Sequence, residues 1–329
     1  MGYIPMEKYL ITGFSGFVGY YFVNYLNSVA KEKISILGLD ISEPSDFKYW
    51  NFENLDIALK KINILDSNEI DNVICEYKPD YILHLAALSS VGKSWDDPAG
   101  CFSNNTGIFL NIVESVRKQK LKCKILCIGS SEEYGFVDSK YIPISEMLNI
   151  NPSSPYAVTK VAQEGMSKCY VAKYGMNINL TRSFNHIGPR QKDSFVIASF
   201  AKQVAQAYVD GKKDFVMTTG NLEVVRDFLD VRDVVAAYYL ILKNGKPGEL
   251  YNVCSGIGYP LKDIIKSLGE ISGINISACV NPDFIRPNDM PIIIGDNSKI
   301  SKHTGWKPEF NIKRSLTDIF NYWVEQLKK

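Results

Sequence analysis

A glycine-rich turn near the N-terminus constrains the fold of this chain more than any other segment. It reads Thr12-Gly13-Phe14-Ser15-Gly16-Phe17-Val18-Gly19, follows an apolar run at residues 9–12 and opens a helical pattern over residues 17–30. The first glycine permits a tight turn, the second lets backbone N–H groups approach a pyrophosphate, and the third allows close helix–strand packing. The helix N-terminus adds partial positive charge. We therefore predict that residues 13–19 bind a dinucleotide.

Strand and helix patterns alternate through the first half of the chain. Further strands are predicted at residues 34–39, 81–86, 124–129 and 177–184, and helices at residues 101–118 and 155–174. Alternation of this kind indicates βαβ units in a parallel sheet that is covered by helices on both faces. The expected fold is therefore α/β, with a Rossmann-type doubly wound parallel sheet.

The pattern changes after residue 184. Loops rich in Pro, Gly, Asn and Asp are predicted at residues 185–192 and 281–289, and helices between them at residues 194–209, 231–243 and 261–272. We expect residues 1–183 to form the dinucleotide-binding domain, with residues 227–253 returning to its sheet through strands at 227–231 and 249–253. A smaller C-terminal α/β substrate domain is expected from residues 184–226 and 254–329.

The bulk composition bears on partners and compartment. The chain has 329 residues, 46% of them apolar, and a formal net charge of +1, so no attraction to nucleic acid or to an anionic membrane is expected. There is no apolar run typical of a secretory signal, nor the ~18 consecutive apolar residues of a membrane span. The seven cysteines include no C-x-x-C pair, and the three histidines are far apart. We therefore expect a cytoplasmic protein without a structural metal.

Two acidic residues follow apolar runs on the expected cofactor side. Asp40 ends the second predicted strand, where a carboxylate accepts hydrogen bonds from the adenosine ribose and repels a 2′-phosphate. The cofactor is therefore expected to be NAD(H) or NADP(H), with NAD(H) preferred. Asp66 follows Ile64 and Leu65 and is placed near the adenine, with a loop-capping role as the alternative.

Tyr156 and Lys160 lie four residues apart on a predicted helix and therefore share one of its faces. An ammonium beside a phenol stabilises the phenolate and lowers the pKa of the phenol from about 10. Such a phenol exchanges protons with a substrate near neutral pH. We therefore predict that Tyr156 carries proton transfer.

The context of this pair matters more than its spacing. Only Tyr156 follows a turn rich in Pro and Ser, residues 151–155, and lies one element after a strand that ends in Gly129-Ser130-Ser131. A serine at the carboxyl end of such a strand faces the ligand crevice, where its hydroxyl can bond a carbonyl. We therefore group Ser130 with Tyr156. The same spacing recurs in two pairs interpreted as ordinary helix surface: Tyr208/Lys212 and Tyr239/Lys243.

Together these motifs resemble the extended short-chain dehydrogenases/reductases over residues 10–323. The matching elements are the glycine turn, residues 84–87, Ser130 four residues before Tyr134, and the pair Tyr156/Lys160. The resemblance implies that Tyr156 is the acid/base, that Lys160 also holds the nicotinamide ribose, and that Ser130 orients the carbonyl. It implies further cofactor contacts at Ile64, Leu85, Ala86, Ala87 and Phe184, and a role for Asn105 in placing the lysine.

The same resemblance implies a homodimer. In this family the helices corresponding to residues 101–118 and 155–174 pair across a two-fold axis into a four-helix bundle. Both helices carry apolar residues beyond one core-facing stripe, and we expect these to form the interface: Phe109, Val113, Met166 and Val171.

Six segments are similar, in order, to one group within the family, the GDP-6-deoxy-4-keto-mannose reductases. They are residues 129–135, 184–189, 191–196, 226–228, 251–256 and 304–308. The similarity implies NAD(P)H-dependent reduction of a 4-keto-6-deoxy sugar nucleotide, with GDP-4-keto-6-deoxy-mannose giving GDP-rhamnose or its C4 epimer. Ser183 and Arg190 depart from the group, which usually has Pro and Gly there.

A nucleotide-sugar diphosphate requires cations. Arg226 and Arg286 lie beside predicted loops of the second domain, where a guanidinium can bind phosphate oxygens bidentately, and Lys202 could reach the nucleotide. Surface salt bridges are the alternative for all three cations. Arg190 adds a further cation that could contact the diphosphate or alter the choice of sugar. The other expected substrate contacts are Ser131, Glu132, Asn185 and Val196.

Two alternatives remain open. Glu132 occupies the place of the glutamate that acts as base in the related 4,6-dehydratases, so a dehydratase, or a 4-epimerase, is retained beside the reductase; a carboxylate that only orders the loop or binds a sugar hydroxyl is the plainer interpretation. A dinucleotide-binding sensor or scaffold is the non-catalytic alternative, disfavoured by the presence of Ser130, Tyr156 and Lys160 together.

Overall fold

The computed structural model describes residues 6–50, 52–284 and 290–328. Its strands are β1 (Lys8–Thr12), β2 (Ile34–Asp40), β3 (Leu55–Lys61), β4 (Tyr81–His84), β5 (Lys124–Ser130), β6 (Asn177–Ser183), β7 (Asn185–Ile187), β8 (Asp214–Thr219), β9 (Val225–Asp230), β10 (Leu250–Val253), β11 (Gly258–Pro260), β12 (Asn275–Val280) and β13 (Ile292–Ile293). Its helices are α1 (Phe17–Val29), α2 (Ser67–Tyr77), α3 (Pro98–Lys118), α4 (Pro155–Tyr174), α5 (Val196–Val209), α6 (Val231–Asn244), α7 (Leu261–Ser272), α8 (Ser298–Thr304) and α9 (Ile312–Leu327).

A seven-stranded parallel sheet carries the site. Its order is β10-β6-β5-β4-β1-β2-β3, so the expected doubly wound α/β fold is confirmed. Apolar side chains of α1 and α6 cover one face of the sheet, and those of α2, α3 and α4 cover the other. The strand order reverses between β1 and β4. Ligands of such sheets bind outside the carboxyl ends of the strands at this reversal.

The helix that carries Tyr156 and Lys160 has well-defined ends. Ser154 caps the N-terminus of α4 by accepting a hydrogen bond from the Ala157 N–H at 3.1 Å, and a proline occupies the first turn. Gly175, at a φ of +63°, ends the helix in the left-handed conformation. These signals explain why the predicted bounds, 155–174, agree with those observed.

The C-terminal part forms a second apolar core. Side chains of α5, α7 and α9 pack against β8 and β9, while β8 pairs with β12. Strand β9 joins β7, β11 and β13 in a four-stranded sheet. The prediction that residues 227–231 return to the first sheet is therefore wrong, whereas residues 250–253 do pair there, with β6. The two runs have similar composition, and only long-range pairing distinguishes them.

Candidate active site

The glycine turn forms a close-packed cradle between β1 and α1. Gly13 has a φ of +66°, and a Cβ there would lie 2.7 Å from the Ala86 nitrogen, because the loop after β4 crosses directly over the turn. Gly16 caps α1 without a side chain, which leaves N–H groups of the first turn available to phosphate oxygens. A Cβ on Gly19 would lie 2.3 Å from the Phe14 carbonyl oxygen. The spacing of the three glycines thus fits a dinucleotide.

Not every residue of the turn can present its side chain to a cofactor. The ring of Phe14 is fully buried and packs beneath Gly38, in contact with Phe47 and Trp50. The ring of Phe17 stacks on His186 at a centroid distance of 6.2 Å. The expected contact from Phe14 is therefore corrected to its backbone, since the ring belongs to the core.

Asp40 lies at the carboxyl end of β2, beside the glycine turn. Its carboxylate accepts hydrogen bonds from the Ser15 N–H at 3.0 Å and the Ser42 N–H at 3.2 Å. Asp40 therefore links the turn to the strand that would support the adenosine. Asp66 caps α2 through the Asn68 and Glu69 N–H groups, which matches the capping alternative. Ile64 is buried, and its carbonyl oxygen accepts from the Asn111 amide at 2.9 Å.

Ser130 ends β5 and opens a short 3₁₀ turn, Ser131–Tyr134. Its hydroxyl accepts a hydrogen bond from the Glu132 N–H at 3.2 Å, and its own N–H donates to Glu133 Oε1 at 2.8 Å. Ser131 is buried beside it. The expected substrate contacts Ser131 and Glu132 thus lie on the same turn as Ser130. Glu133, whose role was not predicted from the sequence, is fully buried and orders this turn by accepting the hydrogen bond from the Ser130 N–H.

Tyr156 and Lys160 are both buried, and the lysine ammonium lies 5.8 Å from the centre of the phenol ring. Burial raises the pKa of the Tyr156 phenol well above its ordinary value, although a hydrogen bond with Ser130 acts in the opposite direction. The expected lowering of this pKa is therefore wrong for the protein by itself. The cause is that desolvation by burial dominates and the carboxyl groups of Glu133 and Glu132 act in the same direction, while the Lys160 ammonium is hydrogen-bonded to other groups. A raised pKa keeps the phenol protonated at neutral pH.

The Lys160 ammonium donates to the Ile128 carbonyl oxygen at 2.8 Å and to the Gln163 amide oxygen at 3.2 Å. Asn105 does not contact the ammonium directly. Its backbone oxygen accepts from the Gln163 amide, while its side chain holds the backbone of Leu88 at 2.8 and 3.1 Å. Gln163 is a functional candidate that the sequence analysis missed, because a glutamine on a helix has no signature of its own.

Thr12 and His84, for which the sequence predicted no role of their own, connect the glycine turn to the loop after β4. The Thr12 hydroxyl accepts from the Ala86 N–H at 3.2 Å and shares a hydrogen bond with His84 Nδ1 at 2.8 Å. Burial lowers the pKa of His84 to about 3, so its ring is neutral. Leu85 donates its N–H to the Thr12 carbonyl oxygen at 3.1 Å. Residues 85–87, expected at the cofactor, are thus held against the cradle.

The expected substrate contacts lie beyond β6. Asn185 is exposed, and Val196 is exposed at the start of α5. Lys202 pairs with Asp193 at 2.6 Å on the surface. The Arg226 guanidinium donates to the Val225 carbonyl oxygen at 2.9 Å. Arg286 lies outside the described residues.

Phe184 and the two departures from the reductase pattern have structural explanations. The ring of Phe184 is buried against Gly295 and Cys254, so the expected cofactor contact is corrected to its backbone. The Ser183 hydroxyl bonds the Tyr238 hydroxyl at 2.7 Å. Arg190 pairs with Asp46, so its expected contact with a diphosphate has no support in this geometry.

Among the described residues, no group of three or more His, Cys, Asp or Glu side chains is arranged to hold a metal ion. No helix within the described ranges is long and apolar enough to cross a bilayer.

A dinucleotide cradle beside Ser130, Tyr156 and Lys160, on a doubly wound sheet, defines an oxidoreductase of the extended short-chain dehydrogenase/reductase class. The chain matches the model of GDP-mannose 4,6 dehydratases over residues 10–319, and it belongs to that family.

Individual relatives align with the whole chain. GDP-6-deoxy-D-mannose reductase from Pseudomonas aeruginosa is 32% identical over 323 residues, which cover 98% of this chain and 99% of the relative. GDP-6-deoxy-D-talose 4-dehydrogenase from Aggregatibacter actinomycetemcomitans is 29% identical over 312 residues, covering 94% and 96%. The structure of RMD from Pseudomonas aeruginosa complexed with NADPH matches with a TM-score of 0.83 and 31% identity, covering 98% and 100% of the two chains.

Proposed function

We propose that this chain reduces a 4-keto-6-deoxy sugar nucleotide with NAD(P)H, converting GDP-4-keto-6-deoxy-mannose to GDP-rhamnose or its C4 epimer. One observation carries the proposal: Ser130 ends β5, with Tyr156 and Lys160 beside it, at the same edge of the parallel sheet as the glycine cradle that follows β1, in a chain that aligns end to end with a GDP-6-deoxy-D-mannose reductase. Fold alone would not support an activity, but a site with these groups in place does.

Each residue of the site has a chemical task in this reaction. The bound nicotinamide supplies the hydride that the carbonyl carbon accepts. Tyr156, kept protonated by burial, donates its proton to the carbonyl oxygen as negative charge develops there. Ser130 donates a hydrogen bond to the same oxygen and orients it, while the Lys160 ammonium stabilises the phenolate that remains.

The preference for NAD(H) over NADP(H) rests on Asp40. Its carboxylate stands at the end of β2, next to the glycine turn, where a 2′-phosphate would meet like charge. The relative solved with NADPH shows that the fold also accommodates the phosphorylated cofactor. Both cofactors are therefore to be tested.

We propose that the part of the chain with the second apolar core, which includes β9, binds the sugar nucleotide, and that residues 1–183 with 231–253 bind the cofactor. Asn185 on β7 and Val196 at the start of α5 are exposed, which supports contacts with sugar or phosphate. Arg226, Lys202 and Arg286 are the cations proposed for the diphosphate and nucleotide. We further propose a cytoplasmic protein, since the scattered cysteines favour a reducing compartment.

We propose a homodimer through α3 and α4, with a corrected interface. Phe109 and Val113 are fully buried within the chain, so they cannot contact a partner. Met166 and Val171 are partly buried against the same core. The exposed large apolar side chains of the two helices are instead Phe102, Leu110, Val158 and Tyr174. The sequence pattern misassigned the faces because α3 packs against both α2 and α4.

A 4,6-dehydratase is the second candidate, and Glu132 is the observation that favours it. Glu132 lies on the Ser130 turn, so a base there could act on the same sugar. A dehydratase returns the hydride to C6 and consumes no NADH, whereas a reductase consumes one NADH for each ketone.

Stoichiometry therefore decides between the two. The protein is supplied separately with GDP-mannose and with GDP-4-keto-6-deoxy-mannose plus NADH or NADPH, and the products are identified by NMR. We expect loss of reduced cofactor equal to ketone consumed, and no reaction of GDP-mannose. Conversion of GDP-mannose without net change in cofactor would establish the dehydratase. Cofactor binding with no turnover of either substrate would favour the non-catalytic alternative, a dinucleotide-binding sensor or scaffold.

A further inference from the structure

Gln163 lies fully buried on α4, one turn after Lys160. Its amide nitrogen donates to the Asn105 backbone oxygen at 2.5 Å, and its amide oxygen accepts from the Lys160 ammonium at 3.2 Å. A buried amide is costly unless both of its ends are hydrogen-bonded, and both are here. The Gln163 side chain therefore connects the backbone of α3 directly to the Lys160 ammonium.

Asn105 is itself held in place on two sides. Its amide oxygen accepts from the Leu88 N–H at 2.8 Å, and its amide nitrogen donates to the Leu88 carbonyl oxygen at 3.1 Å and to the Thr159 hydroxyl at 3.0 Å. Leu88 follows the segment that crosses the glycine cradle. A continuous set of hydrogen bonds thus runs from the cofactor loop through Asn105 and Gln163 to Lys160.

We propose that Gln163 is a positioning residue, which orients the Lys160 ammonium and connects it to the wall of the cofactor cradle. The inference rests on the proposed function for its catalytic meaning, but the contacts that carry it are those of the protein itself. The amide oxygen can only accept, and a charged ammonium donates a stronger hydrogen bond to it than a neutral amine does. Gln163 therefore favours the charged ammonium over the neutral amine.

The surroundings of Lys160 make this support necessary. Burial lowers the pKa of Lys160, and its closest acceptors are two neutral carbonyl oxygens, those of Ile128 and Gln163. The titratable groups that face it from neighbouring elements are His84 on β4, Cys101 on α3, Cys127 on β5, Glu133 on the 3₁₀ turn and Tyr156 on α4. Burial raises the pKa of both thiols, of the Tyr156 phenol and of Glu133, so these groups are largely protonated at neutral pH.

The test titrates Lys160 directly. Protein labelled with ¹³C at the lysine Cε is followed by NMR against pH without substrate, and Lys160→Arg assigns the signal. In Gln163→Met we expect Lys160 to lose its proton about one pH unit or more below wild type, a tenfold change in its ionisation equilibrium. In Gln163→Glu, which retains the size of the side chain and adds a negative charge, we expect titration at or above the wild-type pH. Ser115→Ala, which removes a buried hydroxyl from α3 outside this set of contacts, should leave the titration unchanged.

Activity gives the second readout. The alkaline limb of the kcat/KM profile reports the first proton lost from the coupled Tyr156–Lys160 pair, so it should move to lower pH in Gln163→Met and return in Gln163→Glu. If Gln163→Met folds and Lys160 titrates as in wild type, the inference is overturned, whatever the activity. If Gln163→Met does not fold, a Lys160 titration in Gln163→Glu that falls below the wild-type pH overturns it. If the titration shifts as expected but wild type does not reduce the ketone, the positioning role stands and the proposed function fails.

Discussion

The Arg190 guanidinium lies 2.7 Å from the carboxylate of Asp46 and 4.0 Å from the centre of the Tyr20 ring. It therefore ties the loop after β7 to the loop after β2 and to α1. Tyr21 reinforces the contact by donating its hydroxyl to the Pro189 carbonyl oxygen at 3.1 Å. The loop expected to contact the substrate is thus fixed to the part of the chain expected to hold the cofactor.

Arg190 adopts a φ of +74°, a conformation that favours glycine. Arg190→Ala loses the ion pair and the ring contact but keeps the backbone strain, so it should lower the free energy of unfolding by about 1–2 kcal/mol. Arg190→Gly should cost less, because it relieves strain of roughly 1 kcal/mol. Urea denaturation measures both. Equal losses in the two variants would contradict the role assigned to the backbone.

Tyr156→Phe removes the proposed acid. A positioned acid contributes roughly 10²–10⁴-fold, so kcat should fall by about that factor while NADH binding, followed by fluorescence, stays within about threefold. Tyr208→Phe is the matched control, since Tyr208 also precedes a lysine by four residues but lies exposed on α5. Turnover of Tyr156→Phe equal to that of the control would refute the assignment.

Asp40→Asn tests cofactor choice. The carboxylate accepts from the Ser15 and Ser42 N–H groups through its two different oxygens; the amide removes the negative charge and keeps one of these two acceptors. We expect wild type to use NADH more efficiently than NADPH. In the variant, we expect the ratio of the two kcat/KM values to shift towards NADPH by about tenfold, which corresponds to a loss of about 1.4 kcal/mol of repulsion between the carboxylate and the 2′-phosphate. A tenfold preference of wild type for NADPH would show that Asp40 does not face the ribose.

Glu133→Gln tests the buried carboxyl beneath Ser130. Burial raises the pKa of Glu133 from its ordinary 4.5 to about 8. Between these pH values the unfolded chain ionises while the folded chain keeps its proton, so the stability contributed by this carboxyl is lost as the pH rises. The variant should therefore gain stability relative to wild type between pH 5 and 8, by up to about 1.4 kcal/mol per pH unit. A flat difference between Glu133→Gln and wild type across this pH range would disprove the shift.

Light scattering tests the proposed dimer. Wild type should have twice the 37.0 kDa mass of the chain at micromolar concentration. A charge at Leu110 or Val158 would be desolvated in the interface, so Leu110→Glu with Val158→Glu should yield the monomer. Val216→Glu, at an exposed apolar residue of β8, is the control and should leave the mass unchanged. A monomeric wild type would contradict the proposal.

Local signals in the sequence predicted the elements that hold the site. The glycine spacing of residues 13–19 predicted a cradle because backbone sterics at Gly13 and Gly19 act over a few residues. The bounds of α4 followed from Ser154, Pro155 and Gly175, which act within one turn. Ser130 was placed because the carboxyl ends of parallel strands meet at one edge of the sheet.

The tertiary structure alone decided which contacts those residues make. Phe14 and Phe184 are expected at a cofactor by position, but packing turns their rings into the core. Burial determines the pKa of Tyr156. The Lys160 ammonium donates to the amide oxygen of Gln163, and the Arg190 guanidinium donates to a carboxylate 144 residues away in sequence. Spacing along a chain determines local geometry, whereas desolvation and hydrogen-bond partners depend on segments brought together only by folding.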